Sequence, residues 1–156
     1  MIGWLFDTNV AQELEKAKGA VRVRSWADTL PGSAIFISIL TAAEFDKGIA
    51  NLSDDDPRRA AIAVQRDDLS GRFAGRILPV SDAVARRWGA ISGRIKRDTG
   101  HPPPVIDTLL AATAIEHDLY LVTRNVRDVR LSGAAVFNPW DDDPADAPLV
   151  ARRRRR

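Results

Sequence analysis

The sequence predicts an α/β fold: a central parallel sheet of about five short strands flanked by helices. Three observations carry this. Apolar runs of strand length alternate with longer segments in which apolar residues recur every three or four positions. Gly, Pro and Asp clusters punctuate the alternation. The run at 119–122 is apolar without a polar partner at alternate positions, as expected of a strand covered on both faces.

Residues 2–6 read as a short buried strand, followed by Asp7-Thr8-Asn9 and a helix with Val10, Leu14 and Ala17 on one face. A second helix covers 21–29. Leu30-Pro31-Gly32-Ser33 breaks it before a strand at 34–37, and helical spacing resumes over 41–52. After the acidic turn at 53–56, Pro57 suits the first turn of a helix reaching about residue 72. A third strand is expected at 77–80. Ser81 and Asp82 then start a long helix whose buried face is Val84, Trp88, Ile91 and Ile95, and Gly100 ends it. Pro102-Pro103-Pro104 forms a stiff connection into an Ala-rich helix at 105–117. The strand at 119–122, a helical turn at 126–131, a strand at 134–137 and Asn138-Pro139-Trp140 close the fold.

The chain has 156 residues and suits one domain, since a unit of this size buries roughly 70% of the surface its unfolded chain exposes. There are no cysteines, which removes disulfides, thiolate metal sites and cysteine nucleophiles. With only His101 and His117 besides, the available metal chemistry is that of oxygen ligands, which points to magnesium or manganese. No stretch approaches the ~18 uninterrupted apolar residues of a membrane span, and there is no basic leader. A cytoplasmic protein without membrane contact is therefore expected. The formal charge of +2 hides an asymmetry: removing Arg152 to Arg156 from the 23 basic residues leaves 18 against 21 acidic ones. The expected organisation is a packed unit over 1–140 and an acidic, then arginine-rich tail over 141–156 that charge repulsion keeps disordered.

Four acidic residues, Asp7, Glu44, Asp107 and Asp128, each follow an expected strand or stand near a helix start. In an open parallel sheet, ligands bind outside the carboxyl ends of the strands, so residues far apart in sequence can meet there. Each also has a local reading. Asp7 suits a helix N-cap; Thr41-Ala42-Ala43-Glu44 matches a capping box; Asp107 and Asp128 suit first turns, where the helix dipole favours a negative charge. The neighbouring residues favour a shared site, because two strand ends deliver small polar groups: Asp7-Thr8-Asn9 after one and Thr123-Arg124-Asn125 after another.

On these residues the chain resembles the PIN-domain family, in particular the VapC-like toxins of toxin–antitoxin pairs and their FitB-like branch. The resemblance spans roughly residues 1–140. It rests on Leu5-Phe6-Asp7-Thr8-Asn9-Val10, Ser38-Ile39-Leu40-Thr41-Ala42-Ala43-Glu44, Ile106-Asp107-Thr108-Leu109-Leu110-Ala111-Ala112-Thr113-Ala114, Val122-Thr123-Arg124-Asn125 and Ala135-Val136-Phe137-Asn138-Pro139-Trp140, in that order. It implies that Asp7, Glu44 and Asp107 belong to an acidic cluster holding Mg2+ or Mn2+, with Thr123 in support. Where many relatives carry an aspartate two residues after the strand-end threonine, this chain has Asn125, and Asp128 is expected to supply that carboxylate from the next turn. Thr8, Asn9, Ser38 and Asn125 are expected to tune the site by hydrogen bonds.

The resemblance further implies an endoribonuclease that leaves a 5′-phosphate and a 3′-hydroxyl, acts as a homodimer and is neutralised by a VapB-type antitoxin. Two other functions are compatible with the residues. A haloacid-dehalogenase-style phosphoryl-transfer domain would use Asp7 as nucleophile, but needs a second aspartate where Asn9 stands. A PIN-like RNA- or partner-binding module without turnover is suggested by Asn125. Trp4, Trp26, Trp88 and Trp140 are expected to pack in the core or an interface. His101 reads as a surface residue, His117 as a charge partner for a helix end, and the arginines over 57–76 and 81–97 as solvated helix faces.

Overall fold

The computed structural model describes residues 2–146. Five strands, β1 (Gly3–Phe6), β2 (Ile35–Ser38), β3 (Ile77–Leu78), β4 (Leu119–Val122) and β5 (Val136–Phe137), form one sheet in the order β3-β2-β1-β4-β5. Every neighbouring pair is parallel. Among the described residues the α-helices are α1 (Thr8–Glu15), α2 (Val21–Asp28), α3 (Ile39–Ala50), α4 (Arg58–Arg72), α5 (Asp82–Thr99), α6 (Val105–Glu116) and α7 (Val126–Val129).

The period-two alternation of the central strands sends their side chains to two cores. Trp4, Phe6, Tyr120 and Val122 meet Val10, Trp26, Phe45 and Leu69 on one face. Leu5, Leu119 and Leu121 meet Leu110, Ala111, Ala114 and Val129 on the other. Trp4 stacks on Tyr120 at 4.9 Å and meets Trp26 edge-on at 5.2 Å, pairs worth about 0.5–1.5 kcal/mol each beyond the area they bury. The α5 residues Val84, Ile91 and Ile95 pack with Ala112 of α6, and Trp88 lies against them as expected. At Gly3, where β1 approaches β4, a Cβ would overlap the Leu119 side chain, so a larger residue there would need Leu119 to move.

The chain runs from β1 outward through β2 to β3, then returns to place β4 on the opposite side of β1. Chain direction across the sheet therefore reverses between β1 and β4, and their carboxyl ends flank the crevice where such sheets bind ligands.

Several boundaries differ from the sequence expectation. α3 begins at Ile39 rather than 41, because the buried Ser38 is its N-cap and accepts from the Leu40 N–H at 3.1 Å. Thr41 is thus inside the first turn, and the capping box with Glu44 does not form. Ala17 lies beyond α1, whose C-cap is Lys16; there Glu13 accepts from Lys16 Nζ and from the Ala20 N–H, both at 2.7 Å, and so joins α1 to the start of α2. β3 and β5 span only two residues, and α7 stops at Val129. After Trp140 the described chain continues in turns: Asn138 donates to Asp141 Oδ2, and Arg22 donates to the Asp142 carbonyl. Arg152 to Arg156 lie outside the described residues. No helix among the described residues is long and apolar enough to cross a membrane.

Candidate metal centre

Asp7 is the first residue after β1 and the N-cap of α1. Its backbone N–H still donates to the Val122 carbonyl of β4 at 2.9 Å, so the sheet ladder itself fixes its place. The residue is 6% exposed, and both carboxylate oxygens accept hydrogen bonds. Oδ1 accepts from the Thr8 N–H at 2.6 Å, while Oδ2 accepts from Thr123 Oγ1 at 2.7 Å and Asn9 Nδ2 at 3.0 Å. Burial pushes its pKa above the ordinary 3.8, and the Thr123, Thr8 and Asn9 donors oppose that shift. The capping reading of Asp7 is correct but incomplete, because its second oxygen also binds Thr123, 116 positions away.

Asn9 and Thr123 form a small relay around it. Asn9 Nδ2 also donates to Thr123 Oγ1 at 3.2 Å, Asn9 Oδ1 accepts from the Arg124 N–H at 3.3 Å, and the Asn125 N–H donates to Thr123 Oγ1 at 3.0 Å. The loop after β4 is thereby fastened to the loop after β1.

Asp107 lies in the first turn of α6 and is partly buried. Asn125 Nδ2 reaches its Oδ2 at 3.4 Å and donates more tightly to Asp128 Oδ2 at 2.7 Å, so one amide bridges the two carboxylates. The Asp107 carboxyl is pushed up to about 6, first by burial, then by the charges of Asp7, Asp128 and Glu44 in that order; the Asn125 amide partly offsets them. The other three acids singled out from the sequence therefore all act on Asp107. Glu44, in the second turn of α3, is partly buried and faces this cluster without capping its helix.

Of the supporting residues, Asn9, Thr123 and Asn125 touch the carboxylates directly. Thr8 does so through its N–H, while its Oγ1 donates to the buried Thr41 Oγ1 at 3.3 Å. Ser38 does not reach an acid and instead starts the helix that carries Glu44. Thr41 and Trp140 were not anticipated at the site: the first looked like a helix cap, and the second holds the Arg124 guanidinium over its ring at 5.1 Å.

Among the described residues no three acids or histidines form a ready-made coordination shell. The donor set nevertheless suits magnesium or manganese. It consists of hard carboxylate oxygens with mutual repulsion that a cation would relieve, and magnesium commonly keeps several waters while using only one or two carboxylates. A cavity of about 300 Å³ between the proline connection and α7 has Asp128 in its wall. A separate cavity of about 270 Å³, lined by Phe6, Leu14, Ile35 and Phe73 among others, lies away from the acids.

The PIN domain family model matches residues 4–133. Toxin FitB of Neisseria gonorrhoeae is 33% identical over 138 residues, covering 88% of this chain and 99% of the relative. VapC ribonuclease Y4jK of Sinorhizobium fredii is 28% identical over 137 residues, covering 88% and 97%. Among solved structures, FitAB bound to an IR36 DNA fragment superposes with a TM-score of 0.78 at 31% identity, over 90% of this chain and 97% of that one.

Proposed function

This chain belongs to the PIN-domain family, and we propose that it is a metal-dependent endoribonuclease, the toxin of a type II toxin–antitoxin pair. The observation that carries the reading is the hydrogen-bonded chain at the switch point of the sheet in which Thr123 holds Asp7 and Asn125, itself bound to Thr123, touches both Asp107 and Asp128, with the charge of Glu44 also acting on Asp107. Toxin and ribonuclease relatives matched over nearly their whole length support it.

Asp7 and Asp107 would hold the principal divalent ion, Glu44 would complete its surroundings or orient water, and Asp128 would contribute the carboxylate that Asn125 does not. A bound Mg2+ or Mn2+ supplies a water made nucleophilic near neutral pH and offsets charge on the phosphate. The protein's own part is positional. Thr123, Thr8 and Asn9 donate to both oxygens of Asp7 and oppose the rise in its pKa that burial causes. Asn125 sets the separation of Asp107 and Asp128, because its amide must be displaced or shared when either carboxylate turns toward a cation. Ser38 and the Thr8–Thr41 contact fix where α3 begins and hence where Glu44 stands.

The substrate in this reading is RNA, cut to a 5′-phosphate and a 3′-hydroxyl. The partners are a VapB- or FitA-type antitoxin and a second copy of the chain, and the setting is the cytoplasm. Incubation of the purified protein with cellular RNA and Mn2+ tests it. Discrete fragments that require metal and vanish with chelator are expected; intact RNA at every metal concentration would refute it. Metal and RNA binding without fragments would favour the module without turnover.

A further inference from the structure

The acidic cluster alone repels a polyanion, and the residue between its two fastening points is a cation. Arg124 follows Thr123, which holds Asp7, and precedes Asn125, which touches Asp107 and Asp128. Its N–H is bound by Asn9 Oδ1, so its backbone cannot drift from the site. Its side chain is exposed and makes no ion pair among the described residues. Glu13, whose carboxyl the Arg124 charge helps to lower, is already bound to Lys16 at 2.7 Å.

The guanidinium lies 5.1 Å from the centroid of the Trp140 ring, within cation–π range. Trp140 in turn packs against the core on the α1 and α2 side of the sheet, whereas Asp107 and Asp128 stand on α6 and α7 across it. Residues 123–125 thus straddle the carboxyl edge, with the acids to one side and the fixed cation to the other. Beyond this ring contact the exposed guanidinium makes no hydrogen bond to the described residues, so its N–H edge remains for outside acceptors. Paired oxygens of a phosphate suit such an edge, and the ring limits the rotamer freedom lost on binding.

We propose that Arg124, held over Trp140, is the contact for an RNA phosphate neighbouring the one at the carboxylates, so that the strand crosses the edge of the sheet at Thr123. This rests on the ribonuclease reading for its substrate. Arg124 holds the RNA in register without acting on the scissile bond.

The test compares wild type with Arg124→Met, Arg124→Lys, Trp140→Leu and Trp140→Phe. Binding of a fluorescein-labelled single-stranded RNA of mixed sequence is followed by anisotropy across a salt series with Ca2+, and cleavage of the same RNA is measured with Mn2+. Arg124→Met should flatten the plot of log binding constant against log salt by about 0.7, the loss of one phosphate contact on a single strand. It should raise KM roughly tenfold, as for loss of a charge-assisted hydrogen bond, with kcat unchanged. Trp140→Leu should reproduce part of the KM effect with the salt slope kept, and Trp140→Phe should resemble wild type. An unchanged slope and KM in Arg124→Met would overturn the proposal, as would a fall in kcat alone. Wild type that binds RNA without cutting it would refute the ribonuclease reading, and the binding slope would still decide the role of Arg124.

Discussion

Thr123 Oγ1 donates to Asp7 Oδ2 at 2.7 Å, joining the ends of β4 and β1 through a single hydroxyl. Burial raises the pKa of Asp7, and that donor is the strongest of the hydrogen bonds that oppose the rise. Thr123→Val keeps the shape and removes the donor. It should raise the pKa of Asp7 further, reduce metal affinity and cleavage by about 10–100-fold, as for other residues that orient a metal ligand, and change folding stability by only about 1 kcal/mol. Thr123→Ser should recover most of the activity. Cleavage rates over a metal titration, beside thermal melts, check this.

Asp107 gives the metal-free protein an unusual dependence on pH. With its pKa held up to about 6 against an ordinary 3.8, the folded protein retains a proton across that window that the unfolded chain has released. The contribution of Asp107 to stability therefore falls as pH rises from about 4 to about 6, and remains unfavourable above it. Asp107→Asn should abolish this component and raise the melting temperature of the chelator-treated protein near neutral pH. Melts of both proteins across that range provide the check; a wild-type curve matching that of Asp107→Asn would contradict the cluster.

Bound metal should reverse that relation, since an ion held only by the folded state stabilises it by mass action and binds better as the carboxylates lose protons. Mg2+ or Mn2+ is expected to raise the wild-type melting temperature increasingly above pH 6. Asp7→Asn with Asp107→Asn should show no such gain. Equal metal-induced shifts in the two proteins would remove these residues as ligands.

Much of the fold was legible because the strands are short uninterrupted apolar runs and the helices carry regular apolar faces. The candidate acids were legible because Asp7 follows one such apolar run directly and Asp107 stands in the first turn of another. The start of α3 was not, since Ile39 and Leu40 look like continued strand and both Ser38 and Thr41 can cap; the choice of Ser38 turned Glu44 from a capping residue into a member of the cluster. Nor could local sequence reveal that Thr123 and Asn9 meet, or that Arg124 lies over Trp140. Those contacts depend on β4 returning beside β1 and β5 following it, a matter of sheet order rather than of neighbouring residues.

Asn125 and Asp128 offer a test of how the fourth carboxylate is supplied. Asn125 Nδ2 holds Asp128 Oδ2 at 2.7 Å while reaching toward Asp107. If Asp128 serves the reaction, Asp128→Asn should depress cleavage strongly with little loss of stability, and adding Asn125→Asp should restore part of it. The two positions share one pocket, so their effects should not add. Wild-type turnover in Asp128→Asn would reduce Asp128 to a residue that favours its helix, worth about 0.3–1 kcal/mol.

In the proposed function these carboxylates, gathered at the carboxyl edge of β1 and β4, support metal-dependent cutting of RNA. Sequencing of RNA 5′-phosphate ends after brief induction tests it most directly, with the wild-type chain compared with Asp7→Asn combined with Asp107→Asn. Recurrent new ends at defined positions are expected with the wild type and none above background with the double variant. The same set of ends from both proteins, or no new ends from either, would contradict the account.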